Sequence, residues 1–164
     1  MQRIYFLATL FTGMVILGNV AAHGGEPTDG LSNLQITLIS LGLSVLSFFV
    51  IPKLWDLESN NSRKIMLSSV IYTGTVHIML GFEDIIFMVG GIGIICLGFA
   101  PLVVAFAKAN ERLFQIGLCL NAAIMLIGYF VSNHDFHYLT EDYLGITTKL
   151  AEITILILVY KQRN

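Results

Sequence analysis

The chain has 164 residues, of which 55% are hydrophobic and 12% charged, with a formal net charge of -2; its mean hydropathy is +0.78. Soluble domains carry roughly 25% charged residues, so this composition excludes an ordinary soluble domain. The lack of a basic footprint argues against nucleic acid as a partner.

The apolar residues fall into six blocks, at Ile4–Ala22, Leu34–Trp55, Ile65–Phe82, Ile85–Ala107, Leu113–Val131 and Leu144–Tyr160. Each fits or nearly fits the about 17–25 apolar residues that cross the hydrocarbon as a helix. No period-2 alternation runs through them, as an outer-membrane barrel would require. Backbone in lipid must satisfy its own hydrogen bonds, so each block is expected to be helical. The expected fold is an all-α, polytopic membrane helix bundle of five to six transmembrane helices, with residues 23–164 as one membrane domain.

The first block has two readings. A basic residue, an apolar run and Val20-Ala21-Ala22 form the pattern of a secretory signal peptide over residues 1–22. Cleavage after Ala22 leaves His23 as the new N-terminus and five helices. An uncleaved first helix makes six. The favoured reading is cleavage.

The separators are short and polar. Asp56–Lys64 reads as a loop, Gly81-Phe82-Glu83-Asp84 as a turn closing a tight helical hairpin, Lys108–Arg112 as a tight connection, and Ser132–Tyr143 as the longest internal polar segment. Pro101 is expected to kink the fourth block. Lys and Arg segregate across these separators. Arg3, then Lys53, Arg63 and Lys64, then Lys108 and Arg112, then Lys161 and Arg163 fall on one side, and only Lys149 on the other. The positive-inside rule then places the C-terminus in the cytoplasm of a cell-membrane protein and the histidine-bearing loops outside.

The polar residues gather on that outer side. His23 lies in the first loop, Glu83 and Asp84 in the hairpin, and His134, Asp135 and His137 in the long loop. Imidazole and carboxylate together are ligands for divalent Ni, Cu, Zn or Fe. A solvated acidic surface is the plainer reading of the loop acids. A free amine and imidazole at a processed His23 would resemble the N-terminal histidine brace of copper monooxygenases.

His77 lies inside the third block, where an ionisable side chain is costly and faces the bundle interior or a cavity. If the helix continues, Asp84 falls on nearly the same face, with Gly81 between them leaving room for an ion or a backbone. Thr73 and Gly74 extend the stripe. Glu152 and Lys149 in the last block are placed to pair at i, i+3; a Glu152 facing the bundle instead joins the path. Asn121 lies mid-span in the fifth block, where an interhelical hydrogen bond is its usual role. The two cysteines sit in apolar spans, and no Cys-x-x-Cys, HExxH, P-loop or serine elbow occurs, so the chain is not read as an enzyme.

The run Val76-His77-Ile78-Met79-Leu80-Gly81-Phe82-Glu83-Asp84-Ile85-Ile86-Phe87-Met88 resembles the signature of the HupE/UreJ family of nickel permeases. The signal-like start followed by His23-Gly24 is similar to that family's beginning. The family's Asp-His pair stands here as Glu83-Asp84. The resemblance implies a small helical permease for Ni or a related divalent metal. The expected function is therefore permeation or handling of a divalent transition metal, with lipid and the metal ion as partners. The alternative is a non-catalytic subunit among other membrane subunits, in a copper-containing oxidase or monooxygenase, or a homo-oligomer.

Overall fold

The computed structural model describes residues 31–57, 60–82, 85–132 and 142–162. All of the secondary structure among them is helical: α1 (Asn33–Trp55), α2 (Asn61–Leu80), α3 (Ile85–Val103), α4 (Ala105–Ala109), α5 (Glu111–Ser132) and α6 (Tyr143–Gln162). Residues 1–30, with the signal-peptide reading and His23, lie outside the described residues, as do Glu83, Asp84, His134, Asp135 and His137.

Local signals set the helix ends. Ser32 caps α1 with a capping box closed by Gln35. Asn60 caps α2, its side chain accepting from the Arg63 amide at 2.9 Å. The loop expected over Asp56–Lys64 is therefore shorter, because the cap starts the helix at Asn61. At the other end α2 stops at Leu80, with Gly81 as its C-cap. The alignment expected between His77 and Asp84 involves Asp84, outside the described residues.

The fourth block differs from expectation too. Its helix ends at Val103, Val104 is extended, and the short α4 follows. Pro101 has no N–H for the Leu97 carbonyl. The Leu102 carbonyl, the partner Phe106 would need for the helix to continue, instead accepts from the Trp55 indole at 3.1 Å. Losing these two rungs ends the helix.

α2 is the centre of the bundle. It packs against α1, α3 and α6, and α5 closes a ring by packing against α3 and α6. From Met66 to Met79 every α2 residue except Ser69 is buried. Two close approaches hold it. Ser44 of α1 donates to the Ser68 carbonyl at 2.9 Å. On the α3 side, a Cβ at Gly91 would lie 2.7 Å from the Gly74 carbonyl oxygen. Small residues that let backbones meet are how helices pack where lipid offers no hydrophobic drive.

The outer faces of the ring are apolar. Ile85 of α3, Ile127 and Phe130 of α5 and Ile157 of α6 are all exposed, while Thr73, Thr75, Thr148 and Glu152 are buried. α1, α3, α5 and α6 are each long and apolar enough to cross a membrane. α2 is not among them, because its serines, threonines, His77 and the Arg63-Lys64 pair lower its hydropathy. That, with the first block outside the described residues, is why four helices qualify where five to six were expected.

Candidate functional site

A cavity of about 960 Å³ lies inside the ring of α2, α3, α5 and α6. That volume falls at the top of the range of small-molecule sites, about 300–1,000 Å³. Its wall is mostly apolar, with His77, Asn121, Tyr129, Asp142, Thr148 and Lys149 as its main polar groups. One end lies beside Leu80 and Asp142. At depth it reaches Leu97 of α3 and Gly117 of α5.

A buried polar cluster assembled from three helices meets the cavity at His77 and Lys149. α2 supplies Thr73 and His77, one turn apart. The His77 Nδ1 lies 2.8 Å from the Thr73 carbonyl. A carbonyl only accepts, so Nδ1 is the donor and the ring presents Nε2 to the interior. α6 supplies Lys149 and Glu152, also one turn apart, with Glu152 fully buried and Lys149 nearly so. The Lys149 ammonium donates to both Glu152 oxygens at 2.9 Å and to the Met125 carbonyl of α5 at 3.0 Å. Thr73 donates to Glu152 Oε1 at 3.2 Å, and His77 Nε2 stands 3.7 Å from the same oxygen. Glu152 is thus the hub, touched from α2 by Thr73 and His77 and from its own helix by Lys149.

Packing fixes the imidazole. The Phe87 ring of α3 lies 5.9 Å from the His77 ring, centroid to centroid. Gly91 is what lets α3 come so near, since a Cβ there would stand 3.0 Å from the His77 Cβ. A Cβ at Gly81 would strike the Met88 backbone, so the room expected there is filled by α3 itself and not by an ion.

A second carboxylate lies toward the Leu80 end. Asp142 caps α6, its Oδ1 accepting from the Gly145 amide at 2.8 Å. Its Oδ2 accepts from the Tyr129 hydroxyl at 2.8 Å. The Lys149 ammonium lies 5.2 Å from the Tyr129 ring centroid, within cation–π range. One aromatic ring therefore stands between the Lys149–Glu152 pair and Asp142.

The two alternatives for Glu152 both hold: it pairs with Lys149 and it faces the bundle, beside His77. Asn121 lines the cavity, its Nδ2 beside Gly93, and its Oδ1 accepts no hydrogen bond among the described residues. Tyr129 had no sequence signal beyond an aromatic near a helix end, and the Met125 carbonyl had none. No group of three or more His, Cys, Asp or Glu gathers among the described residues.

Comparison with protein-family models, with curated proteins and with solved structures found no match to this chain.

Proposed function

We infer that the chain is a membrane permease for a cation, with a divalent transition metal as its cargo and Glu152 with His77 as the pair that meets it. In this reading α2 is a fifth span. Its 20 residues rise about 30 Å at 1.5 Å each, the thickness of the hydrocarbon core. The first block is a cleaved signal peptide or a sixth span. The Lys/Arg asymmetry puts the Asp142 end of the cavity outside and the C-terminus in the cytoplasm.

The observation that carries the reading is the fully buried Glu152, 3.7 Å from His77 Nε2, in a bundle whose outer faces are apolar. Ionisable groups inside a membrane bundle are costly and mark ion or proton pathways. Carboxylate and imidazole are the ligand pair of borderline divalent cations. A first-row ion bonded at about 2.0–2.1 Å to each atom bridges a separation of this size. The likeness of Val76–Met88 to nickel permeases belongs to the same proposal. The outer histidines and acids would collect the ion.

The test is uptake of Ni²⁺, Co²⁺, Zn²⁺ or Cu²⁺ into proteoliposomes of the full-length protein. Wild type is expected to transport at least one of them, and Glu152→Gln and His77→Ala to lose more than about tenfold of the rate, the loss expected when a buried charged partner is removed. No uptake of any of these ions by wild type would refute the permease, and equal uptake by wild type and both variants would refute Glu152 and His77 as its site. One observation favours the second reading, a non-catalytic subunit: all three Lys149 donors are engaged, as in a static structural pair. That reading predicts fixed partners on mild-detergent purification and no uptake.

A further inference from the structure

The Lys149 ammonium occupies the carboxylate that the permease reading assigns to the cargo. Its three N–H groups are all used, two on the Glu152 oxygens and one on the Met125 carbonyl. A cation cannot take both Glu152 oxygens while the ammonium holds them. The geometry supplies somewhere for it to go. Asp142 precedes Lys149 on α6 by seven residues, about 10.5 Å of rise and nearly the same face. Tyr129, whose hydroxyl is bonded to Asp142, offers its ring to the ammonium at 5.2 Å. Lys149, Tyr129 and Asp142 all line the one cavity, so the path from the Lys149 side chain to Asp142 runs along the cavity wall, with Glu152 buried behind it. Helical side chains lean toward the helix N-terminus, which on α6 is the Asp142 end, so the lysine stem is biased in that direction.

We propose that Lys149 is a tethered competitor for the cation site: its ammonium holds Glu152 when no metal is bound, and swings along Tyr129 to Asp142 when a metal ion takes Glu152 and His77. The proposal rests on the permease reading and adds to it a reason for exchange. Because the ammonium leaves as the ion arrives, the charge at Glu152 rises by one instead of by the divalent ion's full two. The energetic logic is that an unpaired buried charge is costly, and here neither carboxylate is left bare at either stage. Asp142 keeps the α6 cap throughout through its Oδ1, leaving Oδ2 as the landing point.

The experiment is calorimetric titration of detergent-purified, full-length protein with CoCl₂ alone, comparing wild type, Lys149→Gln, Asp142→Asn and the double variant. Asn caps a helix as well as Asp, so Asp142→Asn removes the charge and keeps the cap. Removing the competitor should tighten binding in Lys149→Gln by about tenfold, the scale of a close charge pair. Asp142→Asn should weaken binding by a similar factor in wild type and leave it unchanged in the Lys149→Gln background. Binding in wild type with no tightening in Lys149→Gln overturns the competitor and leaves the permease standing. An Asp142→Asn effect that persists without Lys149 also overturns it, because Asp142 would then act on the ion directly. No binding in any variant overturns both readings. If Lys149→Gln does not fold, acetylation of Lys149 in wild type, read by mass spectrometry, decides: Co²⁺ should speed it in wild type and not in Glu152→Gln, and an unchanged rate in wild type refutes the swing.

Discussion

α2 and α5 sit on opposite sides of the cavity, at 20 and 22 residues nearly equal in length, and they follow opposite patterns. α5 is apolar and largely exposed, with Leu118 and Ala122 its buried residues. α2 carries serines, threonines and a histidine, yet it is buried along almost its whole length. In water the arrangement would be inside out. In lipid it is consistent, because the bilayer takes the apolar helix and neighbouring helices shelter the polar one. Hydropathy therefore finds the helices that touch lipid and overlooks the one that organises the bundle.

The contrast can be broken or sharpened by substitution, from the largest effect to the smallest. The strongest break lies where α2 meets α6. Lys149→Met leaves Glu152 buried without its main partner and should cost about 3–5 kcal/mol, whereas Lys149→Met with Glu152→Leu should recover most of that loss. Unfolding of the detergent-purified variants measures both. A double variant as unstable as the single one would mean that Glu152 is held mainly by Thr73 and His77.

Next comes the α2–α3 approach. Gly91→Val places a branched side chain where even a Cβ meets the Gly74 carbonyl and the Ile78 amide, and should cost roughly 1–3 kcal/mol or more by overpacking. The matching change on α5 points the other way. A Cβ at Gly128 meets nothing within 4 Å, so Gly128→Ala should stabilise by about 0.5–1 kcal/mol through helix propensity. Equal effects at the two glycines would contradict the contrast between a packed and a lipid-facing helix.

The smallest effect is expected at Ile127, which is 60% exposed. Ile127→Ala should move stability by no more than about 0.5 kcal/mol. A large loss there would show that this α5 face is covered by another protein surface, the outcome the subunit reading predicts.

The class of the fold was legible because its cause is local. Twenty-residue apolar blocks dictate helices in lipid wherever they occur, and five of the six blocks correspond to described helices with ends a few residues away. The exceptions were tertiary. Trp55 reached across 47 positions to take the Leu102 carbonyl and helped split the fourth block. Asn60 captured the Arg63 amide and turned half of a presumed loop into helix. At the site, His77 and Glu152 were each marked by the cost of placing an ionisable group in a span, and that cost is readable residue by residue. Their meeting was not, since they lie 75 positions apart and on helices whose rotation no periodicity fixed.

The sequence by itself determined a helical chain built for lipid, the positions of its polar exceptions and the i, i+3 spacing that lets Lys149 and Glu152 pair, all of which follow from composition and from spacing along one helix. Only the tertiary structure decided that the least apolar helix is the central one. It decided likewise that Gly81 seats the α3 backbone, and that Tyr129 and Asp142 stand beside the buried pair around one cavity. These facts depend on how helices pack against one another, and in a bundle whose apolar surface is satisfied equally by lipid and by neighbours, hydrophobicity along the chain carries no record of which neighbour each face will meet.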